Sequence, residues 1–376
     1  MNFKKKIIFN ASSTLDTPAG ISKYCRELSF FFKESKSFDI FFFLKNKISK
    51  NIPNYKPLNK FDYKKYFRQF PMSYKIRFHL ENFFFSSFTE KKNFRIYHET
   101  NLILKPFKGT RIITVFDLSW ELYEKFHPKE RVNFLKNNFR KSLLSADGII
   151  TISNVVKKDL EKLYDISSKK IFVTHLGSSE YFLKHISEKN NKDILEKFNL
   201  KKNNYFLTVS TLEPRKNLLN AIEAYSRLDI DKFFFNYVIV GSLGWDYDKI
   251  LKKINDTPGV KLITDITEIE LTCLMQNQKA QLYPSFSEGF GLPVLESMSL
   301  GKPVIASAID VIKEVAKNTV LFINPYSVND IKKSLEIVLT NKELVKNLGL
   351  KAKERSKDFS WKKCANQTKN VYLKFI

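Results

Sequence analysis

Residues 285–307 read SFSEGFGLPVLESMSLGKPVIAS, directly after the short apolar run Leu282-Tyr283-Pro284. Gly289 and Gly291 allow a tight turn with positive φ or a close backbone approach. Pro293 suits the first turn of a helix, where its missing N–H costs nothing. The stretch therefore reads as strand, loop, helix and a further strand at 303–306. Glu288 falls on the loop and Glu296, eight positions on, in the first helical turn. Two anchored acceptors beside exposed backbone N–H groups suit a polyhydroxylated ligand carrying phosphate. A capping glutamate beside a surface glutamate is the plainer alternative.

The same alternation runs outward in both directions. Strands are expected at 6–10, 38–44, 94–97, 111–115, 148–152 and 170–173, then at 205–209, 237–240, 260–263, 280–283, 303–306 and 320–323. Helices are expected at 21–32, 128–145 and 154–163, then at 218–228, 246–254, 268–277, 293–300, 328–339 and 342–356. Strands alternating with helices argue an α/β fold with parallel sheets covered on both faces. The expectation is two Rossmann-like, doubly wound domains with ligand loops in the cleft between them. The polar segment 182–202 reads as the interdomain connection, which sets a first domain at 1–182 and a second at 183–360.

A length of 376 residues fits two or three domains, and 43% hydrophobic content supports proper cores. The three cysteines, Cys25, Cys273 and Cys364, are far apart and odd in number. Neither a disulfide framework nor a cysteine metal cluster follows, and a reducing compartment fits. The apolar run after the N-terminal lysines is too short for a signal peptide and reads as a first buried strand. No run of 18 apolar residues occurs, so no transmembrane helix is expected.

The formal net charge is +25, from 64 Lys and Arg against 39 Asp and Glu. The excess is spread along the chain, without zinc-finger spacing or the basic helix of a leucine zipper. It suits an anionic membrane surface or anionic substrate better than nucleic acid. Residues 61–95 hold twelve Phe and Tyr and eight Lys and Arg, but three Asp and Glu. Aromatic and basic residues together suit a headgroup interface or a lipid-linked anionic acceptor. They also interleave as a nucleic-acid platform would, or read as a buried α/β edge with solvated lysines.

The strand YFLTVS hands over to Thr211-Leu212-Glu213-Pro214-Arg215-Lys216-Asn217. Arginine offers a planar fork of donors and lysine a mobile charge, so the pair can grip a diphosphate from two directions. A solvated loop with Asn217 capping the next helix is the alternative. Gly20 precedes a helix whose N-terminal N–H groups can meet phosphate. Gly241-Ser242-Leu243-Gly244-Trp245 follows the strand YVIV; its glycines can shape a base pocket, while Trp245 reads as packing.

Jointly these motifs resemble the retaining GT-B glycosyltransferases of family 4, from about Ala19 to Trp361 and most clearly in mannosyltransferase-like bacterial members. Glu288 and Glu296 match the family's Glu-x7-Glu pair, and 213–217 match its Glu-Pro-Arg-Lys-Asn motif without a mismatch. The resemblance implies a nucleotide-diphosphate sugar as donor, with GDP-mannose the first candidate. It implies Arg215 and Lys216 on the pyrophosphate, with Gly20 and Gly241 beside the donor. It places Glu288 on the transferred sugar and Glu296 on the ribose, with Gly289, Phe290, Gly291 and Leu292 completing the donor loop. It requires no metal and no further cofactor. It implies transfer with retained configuration to a glycan or lipid-linked acceptor in surface polysaccharide or lipopolysaccharide synthesis. A cytoplasmic place follows, or a peripheral one on the inner membrane, as does a C-terminal helix (361–376) crossing back to the first domain.

One position departs from the family. Val115-Phe116-Asp117-Leu118-Ser119 resembles its TVHDLS loop, with Phe116 where the histidine stands. Phenylalanine neither donates that hydrogen bond nor carries a proton. Asp117 is retained, to orient the acceptor or the loop, or to cap the turn. His98, in Tyr97-His98-Glu99-Thr100-Asn101, is the candidate that compensates, as acceptor contact or proton carrier, although a lone histidine also reads as structural. His175 is assigned no chemistry. Phe116 keeps a second reading open, a non-catalytic sugar-nucleotide or glycan-binding protein. The retained Arg215, Lys216, Glu288 and Glu296 favour the enzyme.

Overall fold

Two series of short apolar strands build two sheets in the computed structural model, which describes residues 4–15, 20–33, 35–53, 73–90, 92–229 and 235–376. The first series is β1 (Lys5–Asn10), β2 (Phe38–Phe43), β3 (Ile48–Ser49), β4 (Ile96–Glu99), β5 (Thr110–Val115), β6 (Gly148–Thr151) and β7 (Ile171–Val173). Their order is β3-β2-β1-β4-β5-β6-β7, with every pairing parallel except that of β2 with β3. The second series is β8 (Tyr205–Val209), β9 (Asn236–Val240), β10 (Val260–Ile263), β11 (Ala280–Tyr283), β12 (Val304–Ser307) and β13 (Leu321–Ile323). It forms an all-parallel sheet in the order β10-β9-β8-β11-β12-β13. The chain divides into two compact units, Met1–Gly177 with Trp361–Ile376, and Ser178–Ser360. Each is a Rossmann-like α/β unit, as the strand–helix alternation leads one to expect.

Both faces of each sheet are covered, which is why the strands are nearly continuous apolar runs rather than alternating ones. Ile7, Ile8 and Phe9 are fully buried, as are Tyr205, Phe206 and Leu207. Helix starts follow local chemistry. Ser153 Oγ accepts from Val156 N at 3.2 Å to cap Asn154–Tyr164, and Thr267 with Glu270 forms a reciprocal capping box on Glu268–Asn277. The three cysteines are buried free thiols.

Every expected strand and helix is present within two residues of its expected bounds, except that the last helix ends at Leu373 rather than at 376. The structure adds the helices Ser73–Thr89, Glu188–Lys197 and Asp310–Ala316. The second of these corrects the reading of 182–202 as a connection. Leu195 and Leu200 pack with Cys273, Leu274 and Met275 in one core, so the segment is part of the second unit. Its Lys, Glu and Asn residues mark the exposed face of an amphipathic helix rather than a linker. The division of the chain falls between Gly177 and Ser178. The last helix, Trp361–Leu373, belongs to the first unit and buries Trp361, Cys364 and Tyr372 there. No helix of the described residues is long and apolar enough to cross a membrane.

Candidate functional site

In the second unit the chain winds outward in opposite directions from neighbouring β8 and β11. Loops leaving such a pair part company, and the crevice at the strands' carboxyl ends is where doubly wound sheets take ligands. The loop after β8 carries Glu213, Arg215 and Lys216, and the loop after β11 carries Glu288.

These side chains meet. Lys216 Nζ donates to Glu288 Oε1 at 2.6 Å and lies 5.7 Å from the centre of the Tyr283 ring. Arg215 Nη1 donates to Glu288 Oε2 at 3.2 Å and to the Ser287 carbonyl at 2.6 Å, while Nη2 donates to Glu213 Oε1 at 2.6 Å. Phe286 N donates to the Arg215 carbonyl at 2.9 Å, locking the two loops backbone to backbone. Burial alone would raise the Glu288 carboxyl, but Lys216 and Arg215 outweigh it and hold the pKa below the usual glutamate value. Burial and the neighbouring Glu288 charge push the Tyr283 hydroxyl well up, so it stays neutral. The result is two cations and two carboxylates, nearly dry, aimed at one locus. Such a cluster is suited to hold phosphate oxygens on the cations and hydroxyls on Glu288.

The surrounding backbone explains further residues. Asn217 does not cap its helix with its side chain, contrary to the alternative reading of that loop. It adopts φ 57° and is 4% exposed, and its Nδ2 donates to the carbonyls of Pro284 (3.0 Å) and Pro325 (2.7 Å). The amide thus ties the exits of β11 and β13 to the basic loop. A Cβ on Gly241 would lie 1.8 Å from the Ser210 carbonyl oxygen, and one on Gly244 2.7 Å from that of Leu212. The loop after β9 therefore runs against the loop after β8, joined by Leu212 N to Ser242 O at 2.9 Å. Gly241 is required by that close approach.

Glu296 is 4% exposed on the helix Leu292–Ser299. The helix begins one residue earlier than expected, which puts Glu296 just past its first turn rather than in it. Gly291 takes φ 93°, and a Cβ there would lie 2.5 Å from Ile312 Cδ1, so a side chain is excluded twice over. Gly289 is buried, and Leu292 is half-buried at the helix start. Phe290 turns inward, edge-on to Phe359 with ring centres 5.7 Å apart. Its side chain is core, and only its backbone is available to a ligand.

The first unit places its expected residues less uniformly. Gly20 is exposed and opens the helix Gly20–Phe32, while Pro18 and Ala19 before it lie outside the described residues. Asp117 Oδ1 accepts from Ser119 N at 3.0 Å and from Ser119 Oγ at 2.7 Å, which makes it a turn-capping residue. Phe116 packs edge-on against Tyr24, ring centres 5.1 Å apart. His98 is fully buried, with Nδ1 2.6 Å from the Tyr372 hydroxyl and Nε2 2.6 Å from Thr114 Oγ1. Burial lowers its pKa to about 3, so it is neutral and structural. This corrects its reading as an acceptor contact or proton carrier: both ring nitrogens are spent inside the unit. The sequence did not reveal the roles of Glu213, Tyr283 and Asn217, nor that of Glu99 at the end of β4. A carboxylate ending an apolar strand was the available signal for Glu99. Among the described residues no group of three or more His, Cys, Asp or Glu is suited to a metal ion.

Comparison with known proteins extends this picture. The family described as glycosyl transferases group 1 matches residues 190–355. O-antigen chain mannosyltransferase B of Escherichia coli is 31% identical over 286 residues, covering 74% of this chain and 74% of that protein. O-antigen chain mannosyltransferase RfbU of Salmonella typhimurium is 28% identical over 242 residues, covering 63% of this chain and 62% of that protein. Among solved structures, sucrose-phosphate synthase from Thermosynechococcus elongatus superposes with a TM-score of 0.76 at 17% identity, covering 99% of both chains. WaaG, a glycosyltransferase involved in lipopolysaccharide biosynthesis, gives 0.75 at 13% identity, covering 97% of this chain and 99% of that one. These structural likenesses establish the fold.

Proposed function

The chain belongs to the glycosyl transferases group 1 family, and from that premise we propose that it transfers mannose from GDP-mannose, with retention, to a glycan or lipid-linked acceptor of a surface polysaccharide. The observation that carries the reading is the convergence of Arg215, Lys216 and Glu288 at the switch point of the second unit. The cations take the pyrophosphate and offset charge on the departing diphosphate, while Glu288 orients hydroxyls of the sugar. Glu296, just past the first turn of the helix Leu292–Ser299 that follows this loop, takes the ribose. The names of the relatives support mannose as the sugar and O-antigen-like material as the acceptor. Incubation of the pure protein with a panel of sugar nucleotides and lipid-linked acceptors tests this. GDP-mannose turnover is expected, and absence of binding and turnover with every donor defeats the enzyme reading.

Phe116 is the observation that favours a second reading, a sugar-nucleotide or glycan-binding protein without turnover. Tight donor binding with no transfer and no hydrolysis across the same panel would select it.

The working place we propose is an anionic membrane surface. Residues 61–72 and Lys91 of the cationic-aromatic segment lie outside the described residues. The helix Ser73–Thr89 that follows exposes Ile76 (55%), Leu80 (55%), Phe83 (69%) and Phe84 (37%). Their spacing puts them on one helical face, and the chain's positive charge complements acidic headgroups. Co-sedimentation with anionic but not neutral liposomes, weakening with salt, is the expected result.

A further inference from the structure

The carboxyl edge of the first unit has a switch point of its own, between β1 and β4. Glu99, fully buried, ties the exits of these strands together. Its Oε1 accepts from Asn10 Nδ2 at 2.7 Å, from Thr100 N at 2.8 Å and from Asn101 N at 2.7 Å. Tyr97 donates its hydroxyl to Oε2, and Lys105 Nζ lies 3.7 Å from the same oxygen. Thr100 Oγ1 closes the knot by donating to the Asn10 carbonyl at 2.8 Å.

A rare turn follows. Ile103 N donates to the Asn101 carbonyl at 2.9 Å, and Leu102 between them has φ 68°. A three-residue turn of this hand is strained, and leucine has no side-chain hydrogen bond to offset the cost. Strain of this kind persists where the surroundings over-determine the backbone, and it clusters at ligand sites. His98, Glu99 and Thr100 are fully buried, whereas Asn101 emerges exposed.

We propose that Asn101, presented by this Glu99-anchored turn, recognises a hydroxyl of the sugar acceptor; the proposal rests on the glycosyltransferase reading above. An amide carries both donors and acceptor, and so matches a hydroxyl, which also does both. Glu99 touches no ligand. It is a positioning residue, holding the Asn101 N–H so that the side chain starts from a fixed point.

The test compares variants in transfer to a panel of octyl glycosides (mannoside, glucoside, galactoside and N-acetylglucosaminide), using the sugar nucleotide that the wild type hydrolyses fastest. Donor hydrolysis by water and thermal midpoint are measured alongside. Asn101→Ala should raise the acceptor KM roughly five- to tenfold, the loss of one neutral hydrogen bond, with donor KM, hydrolysis and midpoint unchanged. Leu102→Gly relieves the positive φ, so it should keep or raise the midpoint and still raise the acceptor KM. Glu99→Gln retains an acceptor oxygen for the two N–H groups and should raise acceptor KM less than Glu99→Ala. A wild-type acceptor KM in Asn101→Ala overturns the proposal, as does a wild type that hydrolyses donor but transfers to no glycoside. A wild type that neither binds nor hydrolyses any donor defeats the glycosyltransferase reading, and this proposal with it.

Discussion

Lys216 Nζ meets Glu288 Oε1 at 2.6 Å across 72 positions of sequence. The carboxylate that is to orient the sugar is therefore the same group that aims the cations. Glu288→Gln should separate these two duties. It removes a negative charge beside the phosphate grip, so GDP affinity should hold or rise by up to roughly tenfold. Transfer should fall roughly 10²-fold, because the sugar loses an ionised acceptor in the transition state. Calorimetry with GDP and initial rates decide; loss of GDP binding in this variant would speak against the arrangement.

Arg215 and Lys216 are expected to differ. Arg215 is the partner of Glu213, which is 3% exposed. Arg215→Ala leaves that carboxylate buried without its cation and should destabilise the fold by about 3–5 kcal/mol. Lys216→Ala should weaken GDP binding by about 1.5–3 kcal/mol with a smaller loss of stability. Denaturant melts of both variants, with Arg215→Ala partly rescued by Glu213→Gln, check the assignment.

Asn217 combines a backbone and a side-chain requirement. Asn217→Gly keeps the φ of 57° accessible and loses only the amide bonds to Pro284 and Pro325, at about 1–3 kcal/mol. Asn217→Ala adds the cost of positive φ and should be less stable than the glycine variant by about 1 kcal/mol. Equal melting of the two would remove the backbone part of this account.

His98 makes stability depend on pH in a defined sense. Burial lowers its pKa from 6.5 to about 3. Between those values the unfolded chain binds a proton that the folded chain refuses. The stability linked to His98 is therefore fully present above about pH 6.5 and is lost as pH falls toward 3. His98→Gln should flatten the acid limb of the stability curve by up to ~5 kcal/mol, whatever its effect at neutral pH. Coincident acid limbs would exclude His98 as the source.

Much of the fold is legible in 205–209 and 285–307 because their signals are local. Apolar runs of strand length, a proline one residue into a helix and a glycine at Gly291 each report on a few neighbours. The helix Glu188–Lys197 was hidden for the opposite reason. Most of its surface is solvated, and one buried leucine, Leu195, gives too little periodicity to announce it. His98 misled because a histidine after a strand looks the same whether its ring faces a ligand or Tyr372.

The amino-acid sequence by itself determined the strand–helix alternation, the two basic residues after β8 and the two glutamates after β11. These follow from burial periodicity and from turn chemistry within a few residues. Only the tertiary structure decided which groups meet: Lys216 with Glu288, Arg215 with Glu213, Asn217 with Pro284 and Pro325, and His98 with Thr114 and Tyr372. Those pairings depend on strand order and helix packing. Strand order is set by the summed burial of whole elements, which no single stretch of the chain encodes.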